Sequence, residues 1–133
     1  MIRGLNHLTL AVSDVARSAR FYRDVLGLKQ RAIWEAGAYF EAGSLWLCLS
    51  LDPAVGEAER ADYTHFAFDV ATADFAGLAE RIAAQAVVWK DDESEGASLY
   101  FLDPDGHRLE LHVGTLDSRL HAWRGRAGIE FVD

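Results

Sequence analysis

The chain has 133 residues, half of them apolar and 26% charged. That predicts one soluble globular domain spanning residues 1–133, large enough to bury roughly two thirds of its surface without disulfides. Thirteen basic residues against 21 acidic ones leave a net charge of −8, which excludes general phosphate-backbone binding as the main task. Any anionic substrate then needs a local cationic pocket or a metal ion. Cys48 is the only cysteine, so no intramolecular disulfide forms. The N-terminus lacks a signal-peptide core, and no apolar run approaches the roughly 18–20 residues of a membrane span, which predicts a cytoplasmic protein.

In chain order, Leu5–Val12 alternates Leu8, Leu10 and Val12 with Thr9 and Ala11, a strand pattern. Ser13 or Asp14 caps a following helix whose Val15, Ala19, Tyr22 and Leu26 share one face. Residues 28–34 form a strand, and Tyr39–Glu41 and Leu45–Ser50 a hairpin. The polar stretch 52–62 is a linker. The same order then returns. Tyr63–Val70 alternates Phe66, Phe68 and Val70; Asp74 starts a helix with Phe75, Leu78 and Ile82 on one face; Ala86–Lys90 is a short strand. Ser98–Leu102 and Arg108–Val113 flank the turn Asp103-Pro104-Asp105-Gly106, in which proline presets φ and glycine accepts a positive one.

Asn6-His7-Leu8-Thr9-Leu10 therefore lines up with Thr64-His65-Phe66-Ala67-Phe68 at an offset of 58 residues, the mark of a duplicated unit. Two βαβββ modules result, an α+β fold, the first at about 4–51 and the second at about 63–113. Residues 114–133 form a short helix, with Leu116, Leu120 and Trp123 on one face, and a tail.

His7 and His65 occupy equivalent places at the start of each module, and Glu110 lies on the last strand of the second. Two imidazoles and a carboxylate suit a divalent ion that keeps positions open for substrate, though they do not select Mn(II) over Fe(II), Zn(II) or Ni(II). Aligning Gly43 with Gly106 sets Glu110 opposite Leu47, which cannot ligate. His112, two residues on and hence on the same strand face, competes as a ligand; His107 and His121 are expected in solvent. Other assignments stay open at this point. Lys90 can be an exposed strand-end lysine, Arg119 a helix cap, Trp34 and Trp46 core, and Cys48 a buried thiol.

The stretches GLNHLTLAVSD, GAYFEAGSLWLCLS, DYTHFAF, SEGASLYFLDPDGHRLELHVG and SRL resemble the manganese-dependent glutathione transferases that confer fosfomycin resistance, within the vicinal oxygen chelate superfamily. The resemblance runs from Gly4 to Arg119. It implies that His7, His65 and Glu110 hold Mn(II), and that a homodimer swaps modules so that His7 and Thr9 face His65 and Glu110 of the partner chain. Thr9, Tyr63, Lys90, Ser94, Ser98, Tyr100 and Arg119 match the surroundings of the drug's phosphonate. Asp92, Ser94, Glu95, Gly96 and Ser98 match a potassium loop. Trp34, Tyr39, Trp46 and Ser50 match residues near the site and the thiol entrance, and Lys90 also borders the thiol. The implied catalytic set is Thr9, Tyr39, Lys90 and Arg119, with Thr9 or Tyr39 lowering the pKa of the glutathione thiol.

The chain departs from the family's Lys-x-Asn-Arg-Ser-Glu-Gly, reading Lys90-Asp91-Asp92-Glu93-Ser94-Glu95-Gly96. An arginine has become Glu93 near a channel for an anionic thiol, which predicts weaker glutathione binding. The tail reads Arg126-Ala127-Gly128-Ile129 and lacks the family's Pro-Tyr. Water or another small thiol as nucleophile, metal-free sequestration of the drug, and dioxygenase or glyoxalase chemistry are the competing readings.

Overall fold

A computed structural model describes residues 1–91 and 95–132. The elements run β1 (His7–Val12), α1 (Val15–Arg20), β2 (Lys29–Trp34), β3 (Gly37–Ala42), β4 (Leu45–Leu51), β5 (Phe66–Asp69), α2 (Thr72–Ala83), β6 (Val88–Lys90), β7 (Ala97–Leu102), β8 (Arg108–Val113) and α3 (Leu116–Ala122). They build two four-stranded sheets with the same plan, β1-β4-β3-β2 and β5-β8-β7-β6, each with its first strand parallel to its last.

Several boundaries differ from those read in the sequence. The first helix is α-helical only to Arg20; Phe21–Val25 is a π-helix, closed by Leu26 N–H donating to Phe21 O at 3.1 Å. That wider turn keeps Phe21, Tyr22 and Val25 buried together. Of the two proposed caps, Asp14 serves, accepting from Arg17 N–H at 3.0 Å. The second helix starts at Thr72, before Asp74. Strand β5 starts at Phe66, so His65 precedes it.

Each strand turns alternate residues to one face. Leu8, Leu10 and Val12 of β1, with Leu47 and Leu49 of β4, join Phe101, Leu109 and Leu111 in one core beneath α1 and α2. His7, Thr9 and Ala11 look away from that core, as do Ala67, Glu110 and His112 in the second sheet. The chain therefore carries two open sheet faces, both directed away from the interior they share.

A polar clasp joins the modules. Asp105 is fully buried in the β7–β8 turn and accepts from Ser13 N–H (3.2 Å), Ser13 Oγ (2.5 Å), Ser18 Oγ (3.3 Å) and Arg17 Nη2 (3.1 Å). Tyr22 Oη donates to Asp103 at 2.8 Å, and burial raises both the Tyr22 phenol and the Asp103 carboxyl above their ordinary values. His107 is not in solvent as expected: half-buried, it donates Nε2–H to Ala11 O at 2.7 Å. Gly106 is required here. Its φ is +78°, and a Cβ would stand 2.2 Å from Ala58 O, where the linker crosses the turn.

Candidate active site

The first open face is aromatic. The edge of Trp34 meets Tyr39 at 4.7 Å between centroids, Tyr39 meets Trp46 at 5.2 Å, and Trp46 lies 4.7 Å from His7. Trp34 is 44% exposed, Trp46 40% and Tyr39 37%, so the two indoles are not core. Thr9 and Ser50 are exposed on the same face. His7 Nδ1 lies 2.7 Å from Asn6 Oδ1. An amide oxygen only accepts, so Nδ1 carries the hydrogen and Nε2 offers its lone pair.

The second face holds charge. His65 Nδ1–H donates to Tyr63 O at 2.9 Å, which again leaves Nε2 as the lone-pair nitrogen of the neutral ring. That nitrogen stands 3.2 Å from Glu110 Oε1. At this distance either a proton on Nε2 or a cation held between the two groups joins them. Two donors each about 2.1 Å from one ion and at right angles to each other stand about 3.0 Å apart, so the pair fits a divalent ion. Glu110 is only 6% exposed, and its other oxygen accepts from Ser98 Oγ at 2.8 Å. Such outer partners orient a ligand and set its basicity.

Lys90 is not a loose strand-end lysine. Its Nζ sits 5.0 Å from the Tyr63 ring centroid and 4.7 Å from that of Tyr100, and donates to Tyr63 Oη at 2.5 Å. Tyr63 is exposed and Tyr100 buried. Arg119 lies within α3, whose N-terminus is closed by a Thr115–Ser118 capping box. It stands in the last turn of α3, where the helix's negative end favours a cation, and its Nε donates to Glu95 Oε2 at 3.2 Å. Ser118 Oγ donates to Glu95 Oε1 at 2.7 Å; that bond, with Arg119, holds the Glu95 carboxyl below its ordinary range. Gly96 has φ +80° and begins the approach to β7. Asp92 and Ser94, expected near potassium and the phosphonate, and Glu93 lie outside the described residues.

Within one chain the expected ligands are divided. His65 and Glu110 meet, His7 stands on the other sheet, and no group of three His, Cys, Asp or Glu among the described residues is arranged to hold a metal. The alignment that set Glu110 opposite Leu47 needs correction. Thr9 pairs with Cys48 where Ala67 pairs with Glu110, so the equivalent of Glu110 is Cys48. Leu47 is fully buried on the core side. Cys48 is itself buried, as a thiol on the open face.

Three contributors escaped the sequence reading. Asn6 orients His7 and was visible only as a neighbour of it. Trp89 packs against Tyr63 (5.9 Å), His65 (5.7 Å) and Tyr100 (5.1 Å), and donates Nε1–H to Leu109 O at 3.1 Å. Asp62 accepts from Thr64 N–H at 3.0 Å and so shapes the turn before His65.

Comparison with known proteins places this geometry. Residues 4–111 match the Glyoxalase/Bleomycin resistance protein/Dioxygenase superfamily. The chain is 52% identical to glutathione transferase FosA of Serratia marcescens, over 99% of this chain and 97% of that protein. It is 38% identical to metallothiol transferase FosB of Staphylococcus haemolyticus, over 93% of each. A single-residue mutant of FosX, a fosfomycin resistance protein from Listeria monocytogenes, was solved with Mn(II) and 1S,2S-dihydroxypropylphosphonic acid. It superposes with a TM-score of 0.80 at 29% identity, covering 93% of this chain and 100% of that one.

Proposed function

The chain belongs to the Glyoxalase/Bleomycin resistance protein/Dioxygenase superfamily, and from that membership we propose that it is a Mn(II)-dependent transferase that opens the epoxide of fosfomycin with glutathione. The observation that carries the reading is the 52% identity to a glutathione transferase along 99% of the chain. The glutathione sulfur bonds to the ring carbon that bears the phosphonate. The C–O bond at that carbon breaks, and the oxygen leaves with the electron pair and takes up a proton. A divalent ion held by His7, His65 and Glu110 supplies Lewis-acid stabilisation of the charge that grows on this oxygen.

The chain's own residues do the rest. Lys90, held between the Tyr63 and Tyr100 rings, and Arg119, held by Glu95, bring fixed cations to the phosphonate on a protein whose mean field repels it. Thr9, Ser94 and Ser98 complete that pocket. Tyr39 or Thr9 hydrogen-bonds the thiol and lowers its pKa, while Trp34, Trp46 and Ser50 line its approach. Potassium in the Asp92, Ser94, Glu95, Gly96 and Ser98 loop adds positive charge beside the phosphonate. The protein works as one domain, in the cytoplasm; no helix among the described residues is long and apolar enough to cross a membrane.

The working unit is a homodimer in which the His7 face of one protomer closes on the Glu110 face of its partner. Two features support this: the faces look away from their shared core, and they leave Trp34, Tyr39, Trp46 and Tyr63 exposed. Contiguous apolar surface of that kind marks an interface.

Mass spectrometry of fosfomycin incubated with the protein, Mn(II), potassium and glutathione tests the reaction. A glutathione adduct is expected. A second reading takes water as nucleophile, favoured by the dihydroxypropylphosphonic acid bound to FosX; its mark is a diol formed whether or not thiol is present. Unaltered drug would overturn both.

A further inference from the structure

We propose that His112 is a positioning residue of the divalent-metal site: acting through Ser98, it fixes which oxygen of Glu110 is offered to the ion. The inference rests on the reading of Glu110 as a ligand. On β8, His112 follows Glu110 by two residues and shares its face, and it pairs in register with Ser98 of β7. Ser98 Oγ lies 2.8 Å from Glu110 Oε2 and 2.8 Å from His112 Nδ1. A hydroxyl has one hydrogen. Given to the carboxylate, which only accepts, it leaves Ser98 Oγ to accept from the ring, so His112 Nδ1 carries the hydrogen. The direction is then settled as His112 Nδ1–H to Ser98 Oγ, and Ser98 Oγ–H to Glu110 Oε2.

The same Nδ1 is 3.3 Å from Oε2 and reinforces the bond. Oε2 is thereby occupied, and Oε1 alone faces His65 Nε2. Rotating the carboxylate to present both oxygens would break this chain of donors, so Glu110 is held to one-oxygen ligation.

The far edge of the His112 ring is braced as well. At Gly114, where φ is +146°, a Cβ would stand 2.8 Å from His112 Nε2 and 3.0 Å from Glu95 Oε1. Glycine lets the imidazole and Glu95 close over the backbone at that point. Glu95 in turn holds Ser118 and Arg119 of α3. His112 thus sits between the carboxylate that faces the ion and the carboxylate that holds Arg119.

The test is Mn(II) affinity and the line shape of bound Mn(II) in electron paramagnetic resonance, with thermal unfolding as a control for the fold. In His112→Asn the amide N–H can replace the Nδ1–H; in His112→Gln it sits one carbon too far out. Removing an outer-shell partner of a ligand costs about 10–100-fold in metal affinity. His112→Gln is therefore expected to weaken Mn(II) by about that factor and broaden its signal, and His112→Asn to retain most of the affinity. In a Ser98→Ala background the Gln substitution should cost less than it does in the parent, since only the direct Nδ1 contact with Oε2 remains to be lost. Asn and Gln variants that weaken Mn(II) equally, or both bind as the parent does, would overturn the role of His112. If Glu110→Ala also binds Mn(II) unchanged, the ligand reading itself has failed.

Discussion

The two open faces are copies of one frame that have taken different work. Thr9, Cys48 and Tyr39 lie in one row across the first sheet; Ala67, Glu110 and Tyr100 form the equivalent row in the second. A cysteine stands where its counterpart is a carboxylate. The first face then offers one oriented imidazole and a wall of aromatic rings, and the second offers a carboxylate, an imidazole and two cations that are already held. Duplication repeats positions, not side chains, so each face carries a different set of chemical groups. Both faces point away from the core that joins them, and neither completes the other within one chain.

The largest effect should come from erasing the difference at its sharpest point. Glu110→Ala should weaken Mn(II) binding by more than about 100-fold, beyond any outer-shell loss, with the fold intact. Cys48→Ala at the equivalent position should leave Mn(II) binding unchanged; isothermal titration compares the two. Equal losses would mean that Cys48 also ligates.

Next in size is the clasp that holds the faces back to back. Asp105→Ala strands the Arg17, Ser13 and Ser18 donors and should destabilise by about 3–5 kcal/mol. Tyr22→Phe removes one donor to Asp103, and denaturant unfolding should register about 1–3 kcal/mol.

A pH-dependent effect separates the faces further, because only the second is tied to α3. Glu95 titrates below its ordinary 4.5 when folded, chiefly through the Ser118 hydrogen bond. A depressed acid stabilises the fold above its unfolded pKa and loses that contribution as pH falls through the folded one. The parent should exceed Glu95→Gln in stability at neutral pH, with the gap shrinking below about pH 4.5. A gap constant with pH would contradict the assignment.

The smallest effect concerns Glu93. Glu93→Arg should lower the Michaelis constant for glutathione about fivefold at low salt, less at high salt, with that for fosfomycin nearly unchanged. No change at low salt would remove residue 93 from the thiol's path.

Much of this frame was legible in the sequence because strand alternation and the spacing between His7 and His65 are local signals. Glu110, Lys90 and Arg119 were found through residue types and family resemblance. The partner of Glu110 was misread for a physical reason. β4 has seven residues and β8 six, and relative to the turn glycine β4 pairs one residue further along. Side chains alternate with period two, so that slip exchanges Leu47 for Cys48. The clasp was invisible because Ser13 and Asp105 meet across 92 residues and leave no periodic trace. His112 was noticed as a competing ligand; that it bonds Ser98 follows from strand register, which the sequence does not state.

The central claim is that each site takes one face from each protomer, and subunit exchange tests it most directly. His7→Ala protein is mixed in equal amount with Glu110→Ala protein, each inactive alone, and exchange is confirmed by mass spectrometry. In a mixed dimer one site collects both lesions and the other collects none. Half the dimers are mixed, so about one quarter of the parent activity should return. No return of activity after confirmed exchange would show that each chain closes its own site, and the shared arrangement would be wrong.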